Sequence, residues 1–473
     1  MESKQSPIIL WFRRDLRLSD HPALSAAART GRPILPVFIL DDLTLTLGAA
    51  PKWRLGLGLE VFAKSLERNG NRLILRRGEA LAVLQALIAE TGASAVYWSR
   101  AYDHDAIARD TRIKSALQDQ GVEARSFAGH LLFEPWTVAT KAGQPFRVFT
   151  PMWRAVQGRE VPAPEPVPPI KAPSKLPSSE DLKTWNLGAA MNRGAAVVTP
   201  YVRPGENAAF ELLHGFLDRI QDYSDNRDRL DLDSTSGLSE HLSLGEIGPR
   251  SIWHAVQRAS MNGVSGADAF LRQMVWREFA YHLMYHSPQL LHENWKPEWD
   301  AFPWHNDASR PEVIAWLQAR TGIPAVDAGL REMYVTGRMH NRARMIVASY
   351  LTKHLMTHWK IGMDWFAECL IDWDPAANAM GWQWVAGSGP DAAPFFRIFN
   401  PDTQREKFDP GAIYLKRWIA EGQADPPATA LAYFQAIPRS WALDPKAGYP
   451  NPVVELATGR ARALAAYEGR KTG

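Results

Sequence analysis

Sulfur is nearly absent from the reactive inventory of this chain. Cys369 is its only cysteine, so no intramolecular disulfide and no cysteine-based zinc cage can form, and a reducing, cytoplasmic setting is expected. Long apolar runs are missing too. None approaches the roughly 18 residues of a membrane span. Met1 to Ile9 lacks the charged start, apolar core and small-residue cleavage site of a secretory signal, so none is expected. The chain contains no internal repeat, no GxGxxG and no P-loop sequence, so no dinucleotide or triphosphate site follows from motif alone. No metal site is expected. Charge of one sign is scarce as well. A net charge of +3 and a pI near 8.8 tolerate a polyanionic partner without demanding one.

What the chain does have is length, apolar residues and tryptophan. Its 473 residues, 46% of them hydrophobic, suffice for two or three domains with sizeable cores. The 19 tryptophans fill cores for the most part, while a minority can stack on bases or a flat cofactor, or relay charge. Toward the N-terminus, strand patterns at Ile8–Phe12, Ile34–Leu40, Arg72–Leu75 and Ala95–Trp98 alternate with helical ones. The helices are expected at Pro22–Ala28, Leu55–Arg68, Leu81–Glu90 and His104–Gln118. That alternation predicts a parallel, Rossmann-like sheet covered on both faces, with a ligand at the strand C-termini as the default site. Residues 161–177 are dense in proline and read as surface connector. Beyond Tyr201 the pattern turns to long amphipathic helices. The expected organisation is an α/β domain over 1–132, a connector over 133–200 and a large all-α domain over 201–473.

The chemistry concentrates between Tyr223 and Gln404. Thr235, Ser236, Gly237, Leu238 and Ser239 form a hydroxyl-rich turn before a helix, which suits either a phosphate cradle or a simple helix cap. In FLRQMVWREFAYHL, Phe270, Gln273, Met274 and Arg277 share a helical face, with Trp276 on an adjoining one; an ordinary core helix also fits. In MHNRARM, Asn341, Arg344 and Met345 fall on one stripe and Arg342 lies about 100° away. Such a mixed stripe is a poor core face, because a buried guanidinium needs a partner. In IDWDPAANAMGWQWV, Asp374 before Pro375 reads as a helix cap, which leaves Asp372 and Asn378 unexplained. Asn378 and Trp382 share a face, while Trp384 points roughly 200° away from Trp382.

Together with WFRRDLRLSDHPAL near the N-terminus and DAAPFFRIFNP after residue 390, these segments resemble the photolyase/cryptochrome family over nearly the whole chain. The branch most resembled is the class I-like cyclobutane pyrimidine dimer photolyases. The resemblance implies an antenna-type α/β domain and a helical domain holding FAD. By motif match, Tyr223, Thr235, Ser236, Gly237, Leu238, Ser239 and Phe270 surround the FAD phosphates and neighbouring atoms, and Arg277 assists. Asn341, Arg344, Asp372 and Asp374 belong to the cofactor site, with Arg344 paired to Asp372. Asn378 lies beside the reactive flavin nitrogen, where an amide can hydrogen-bond without adding charge. Trp382, Trp359 and Trp304 match a relay of three oxidisable indoles. The implied activity is blue-light repair of UV-damaged DNA: photoexcited reduced FAD passes an electron to the lesion and recovers it after the ring splits. The lesion must first leave the duplex. Gln273, Trp276, Asn341, Arg342, Met345 and Trp384 match the dimer pocket, and Arg227, Arg342, Arg397 and Gln404 suit strand phosphates.

Two positions depart from the pattern. Gln273 stands where dimer photolyases resemble a glutamate, and resembles the (6-4) branch there, although Asn341 and Met345 replace that branch's histidine pair. Asp105 and Ala106 stand where folate-binding relatives resemble an Asn-Glu pair, so methenyltetrahydrofolate, a deazaflavin or no antenna all stay open. A signalling cryptochrome and a non-enzymatic Trp-rich nucleic-acid binder are the rival readings. The short tail beyond the shared fold and Asn378 in place of a plant-type aspartate weigh toward repair, by a chain expected to act as a monomer.

Overall fold

Strands β1 (Ile8–Phe12), β2 (Ile34–Leu40), β3 (Ile74–Arg77), β4 (Ala95–Ser99) and β5 (Glu123–Phe127) build one parallel sheet in the order β3-β2-β1-β4-β5. This is a computed structural model, and it describes residues 6–392 and 396–472. Every residue of β1, β2 and β4 is buried, as expected when helices cover both faces of a parallel sheet. Along β1 the side chains alternate between two cores. Ile8, Leu10 and Phe12 pack with Leu24, Leu55, Leu59 and Phe62. Ile9 and Trp11 pack on the other face with Leu84, Ile113 and Leu117.

The expected strands and helices of this region are present, with the Arg72–Leu75 strand displaced to Ile74–Arg77. The fifth strand carries no hydrophobic run. In Glu123–Phe127 only Ala124 is fully buried, because the strand sits at the sheet edge. Pro36 interrupts β2 without breaking the ladder to β3, since that pairing starts one residue later, at Val37 with Ile74.

Residues 160–181 form no helix or strand. They run back along the α/β layer, where the carbonyls of Glu165 and Lys171 accept from the Asp20 and Ile34 amides, and Glu180 N–H donates to Leu75 O. Before them, helix Phe149–Val156 joins the core of the helical half through Phe149, Met152 and Val156.

The helical half holds two large cores with helix Pro375–Ala386 wedged between them. Its Ala379 belongs to the core of Tyr223, Leu238, Phe270 and Met274. Its Trp382 and Val385 belong to the core of Trp316, Trp359 and Phe366. The two halves are clamped by a buried ion cluster. Arg54, from helix Ala49–Arg68, donates to both carboxylate oxygens of Glu246 at 2.9 and 2.6 Å, with Glu240 and His241 alongside and no exposure at any of the four. The Arg54 charge holds the Glu246 carboxyl down at about 2 against a large desolvation cost. This cluster seats the short helix Ser239–Leu244, and with it the turn that precedes it.

Candidate cofactor and lesion site

The turn at 235–239 adopts the backbone its sequence suggests. Gly237 has φ +65, and a Cβ there would meet nothing within 4 Å, so its backbone is free for close approach by a ligand. Leu238 is buried in the same core as Tyr223 and Phe270, whose rings meet edge to face at 5.3 Å. Arg227 lies over the Tyr223 ring at 6.0 Å. Turn, Tyr223 and helix Ala267–His286 are thereby brought to one place.

Helix Pro375–Ala386 supplies the opposite wall. Its N-cap is Asp374, whose Oδ1 accepts from the Ala377 amide at 3.0 Å. The other oxygen accepts from the Tyr281 hydroxyl and lies 3.4 Å from Arg14 Nη2, so the Asp374 carboxylate is fully engaged. Asp372 is different. Its Oδ2 accepts from Arg344 Nη2 at 2.7 Å, while its buried Oδ1 has no partner among the described residues. A buried carboxylate oxygen left without a donor marks a place for a ligand N–H or O–H. One turn into the helix, Asn378 Nδ2 donates to Met363 O at 3.0 Å. That bond fixes the amide's orientation and leaves Oδ1 as the available acceptor.

The three expected relay tryptophans are buried in one hydrophobic core. Trp382 packs directly over Gly362, where any Cβ would stand 2.0 Å from the indole. Gly362 is three residues past Trp359 on helix Trp359–Cys369, which puts Trp359 on the neighbouring turn. His358 lies between the next pair, 5.2 Å from Trp359 and 5.3 Å from Trp304. Trp382, Trp359 and Trp304 are 3%, 0% and 9% exposed, so all three indoles sit within the core. Trp316, which no motif singles out, is also wholly buried and stands 6.2 Å from Trp382.

The expected lesion residues lie in several clusters. Asn341 Nδ2 points at Met345 Sδ, 3.9 Å away. Arg342 pairs with Asp228 at 2.7 Å, covers the Phe408 ring at 4.3 Å and reaches Gln404 Oε1 at 3.5 Å. Trp384 donates to Asp391 O at 3.0 Å and carries Arg397 over its ring at 5.8 Å. Gln273 is half-buried. Trp276 is stacked at 3.8 Å and 7° on Phe149, a residue of the connector that nothing in the sequence singles out.

Arg277 donates to His130 O and to His130 Nε2, both at 2.9 Å, and lies 5.0 Å over the Tyr281 ring. Burial and the Arg277 charge keep His130 neutral, well below the usual histidine range, so Nε2 accepts. Arg277, His130, Tyr281, Asp374 and Arg14 form one continuous network between the two halves of the chain.

Residues 8–171 match the family model described as DNA photolyase, and residues 270–469 match the FAD binding domain of DNA photolyase. The chain belongs to the DNA photolyase family. It is 44% identical to a deoxyribodipyrimidine photo-lyase of Agrobacterium fabrum over 100% of this chain and 99% of the relative. Cryptochrome-2 of Arabidopsis thaliana is 32% identical over 96% of this chain and 77% of its own length. The crystal structure of a bacterial class III photolyase from Agrobacterium tumefaciens superposes with a TM-score of 0.91 at 42% identity, covering 100% of this chain and 99% of that one. The motifs alone point toward the class I-like branch; a class III neighbour bears on that subdivision and leaves the family unchanged.

The residues fit the flavin that this family model names. The unpartnered Asp372 Oδ1, the oriented Asn378 Oδ1 and the open Gly237 backbone are groups of the kinds that an isoalloxazine, a ribityl chain and a phosphate require. A second site was legible only as a general rule. A cavity of about 440 Å³ opens at the C-terminal ends of β1, β2 and β4 and extends to Asn378. Its lining includes Arg13, Asp41, Tyr102, Asp105, Ala106 and Arg109. Arg109 is fixed by Asp41 at 2.6 Å and by Asp110 at 2.8 Å.

Proposed function

We infer that this photolyase-family chain is a deoxyribodipyrimidine photo-lyase that splits cyclobutane pyrimidine dimers in UV-damaged DNA. The observation that carries the reading is the open acceptor kept by Asp372 and by Asn378 at the start of the helix that carries Trp382, whose indole packs in one core with Trp359 and Trp304. Bound FAD supplies one-electron chemistry driven by blue light. The chain's own residues do the rest. Arg344 holds one oxygen of Asp372 at 2.7 Å and leaves the other for the ligand. Asn378 presents a neutral acceptor, held by Met363 O, to a protonated ring nitrogen. Trp382 gives up an electron and is refilled from Trp359 and Trp304 in turn.

Gln273, Trp276, Met345 and Trp384 form the apolar and amide face offered to the flipped dimer. Arg227, Arg342, Arg397 and Gln404 offer donors to the strand, and Arg342 must exchange its pairing with Asp228 to do so. The sheet-end cavity falls within the usual size of ligand pockets, which run from about 300 to 1,000 Å³. It suits a second, antenna chromophore, either methenyltetrahydrofolate or a deazaflavin. The chain acts as a monomer in a reducing cytoplasm.

The test is repair of a thymine dimer in an oligonucleotide by the photoreduced protein under blue light, against a dark control. Restored thymines in the light alone support the reading. Reduced flavin without repair overturns it. Gln273→Glu is expected to raise the repair yield per absorbed photon, because a carboxyl group can donate a proton-bearing hydrogen bond to the split pyrimidines.

A further inference from the structure

Next to the Trp384 side of the lesion face lies a separate cavity of about 200 Å³. Lys296, Trp299, Lys353, Trp384, Arg397 and Arg470 come together there from well-separated stretches of sequence. Gln273, Trp276, Asn341, Met345 and Asn378 take no part in its lining. Four of the six side chains are basic, and two of them are placed where a cation is costly. Lys353 is 1% exposed; its ammonium donates to Ala386 O and otherwise faces the rings of Phe396 at 3.8 Å and Trp299 at 5.2 Å. Arg470 lies 4.3 Å over the Trp299 ring, and its buried Nε and Nη1 have no hydrogen-bond partner among the described residues.

Glu298 also lines the cavity, where it and Asp391 act on Lys296; among the described residues neither Lys353 nor Arg470 forms an ion pair. Burial and the Arg470 charge together hold the Lys353 side chain well below its usual range, which favours the neutral amine and leaves Arg470 as the buried charge of the cavity. Aromatic faces offset part of this cost. They supply no acceptor for the remaining N–H groups, and buried donors without acceptors are rare in folded chains. An anion with several oxygens supplies those acceptors, and a guanidinium suits phosphate in particular. Trp384 and the exposed Arg397 belong both to this cavity and to the face expected to meet DNA, so the anion at hand is a strand phosphate.

We propose that this cavity binds a backbone phosphodiester of the lesion-bearing strand next to the dimer, with the unpartnered N–H groups of Arg470 as its donors. The proposal rests on the dimer-repair reading for its choice of strand. It is tested by the affinity of the full-length flavoprotein for a thymine-dimer oligonucleotide and its intact counterpart across a NaCl series. Arg470→Gln and Lys296→Gln are compared with the wild type, each first checked for unchanged flavin absorbance and melting temperature. Arg470→Gln is expected to lower the slope of log affinity against log salt by about one, the loss of one phosphate contact. A neutral methylphosphonate at one linkage beside the dimer should weaken the wild type and leave Arg470→Gln unaffected.

Unchanged slopes in both variants, with dimer preference retained, overturn the proposal. Inorganic phosphate that raises the melting temperature of the wild type but not of Arg470→Gln, with unchanged DNA slopes, reassigns the cavity to a free anion and also overturns it. A wild type that binds dimer and intact strands equally removes the repair reading instead, and the slope difference, read on the intact strand, still decides the cavity.

Discussion

Asp372 and Asp374 are two carboxylates two residues apart with opposite assignments. Asp374 is fully engaged by its helix cap, Tyr281 and Arg14, whereas Asp372 keeps one buried oxygen open. Asp372→Asn therefore strips Arg344 of its counter-charge and halves the charge-assisted bonding available to a ligand. Arg344 is about a quarter exposed, which softens the penalty of a buried unpaired cation. The expected loss is about 2 kcal/mol, or roughly thirtyfold in FAD affinity, read by fluorescence titration of the apoprotein. Trp359→Phe acts on electron supply alone. Photoreduction of the oxidised flavin by an external donor should be abolished, while repair by chemically reduced protein stays at the wild-type level. Loss of both activities would mean that Trp359 is needed for folding or binding and not as a relay.

Among the helices, Pro375–Ala386 decides the site, because it places Asn378 and Trp382 between two cores. Its tightest packing is the contact of Trp382 with Gly362. Gly362→Ala drives a methyl into an indole that rigid neighbours hold, including Phe366 at 4.9 Å. Overpacking of this kind costs about 1–3 kcal/mol. Urea unfolding should show that loss, and a displaced Trp382 should slow flavin photoreduction in the same variant. A stable variant with normal photoreduction would show that the helix Trp359–Cys369 yields instead.

Across the whole molecule the two halves meet through buried polar groups, and one of them makes stability depend on pH. Glu278 is 2% exposed and accepts from the Leu132 and Phe133 amides. Burial pushes its carboxyl up to about 7, against the opposing pull of Arg277 and those amides. An unfolded glutamate releases its proton near about 4.3. Between those values the folded chain holds more protons than the unfolded one, so stability from this group falls as pH rises and levels off above the folded value. Glu278→Gln removes that slope. Unfolding free energies measured from about pH 5 to about pH 8 should fall more steeply in the wild type than in the variant; parallel curves would show that Glu278 stays charged throughout.

Strand pattern and helical period determined by themselves that a parallel α/β layer precedes a helical half, because burial on both sheet faces writes continuous apolar runs such as Ile34–Leu40. Edge strand Glu123–Phe127 escaped notice for the converse reason: one covered residue leaves no run. The helix cap that Asp374 makes before Pro375 was likewise legible, since its cause is local. Partners brought from afar had no such signal. Phe149 reaches Trp276 across more than a hundred residues, His130 reaches Arg277, and Arg470 reaches Trp299. Only the tertiary structure decided those contacts, along with the open oxygen of Asp372 and the unpaired N–H groups of Arg470. Each depends on which polar groups remain unpaired after distant segments pack, and no local pattern records that remainder.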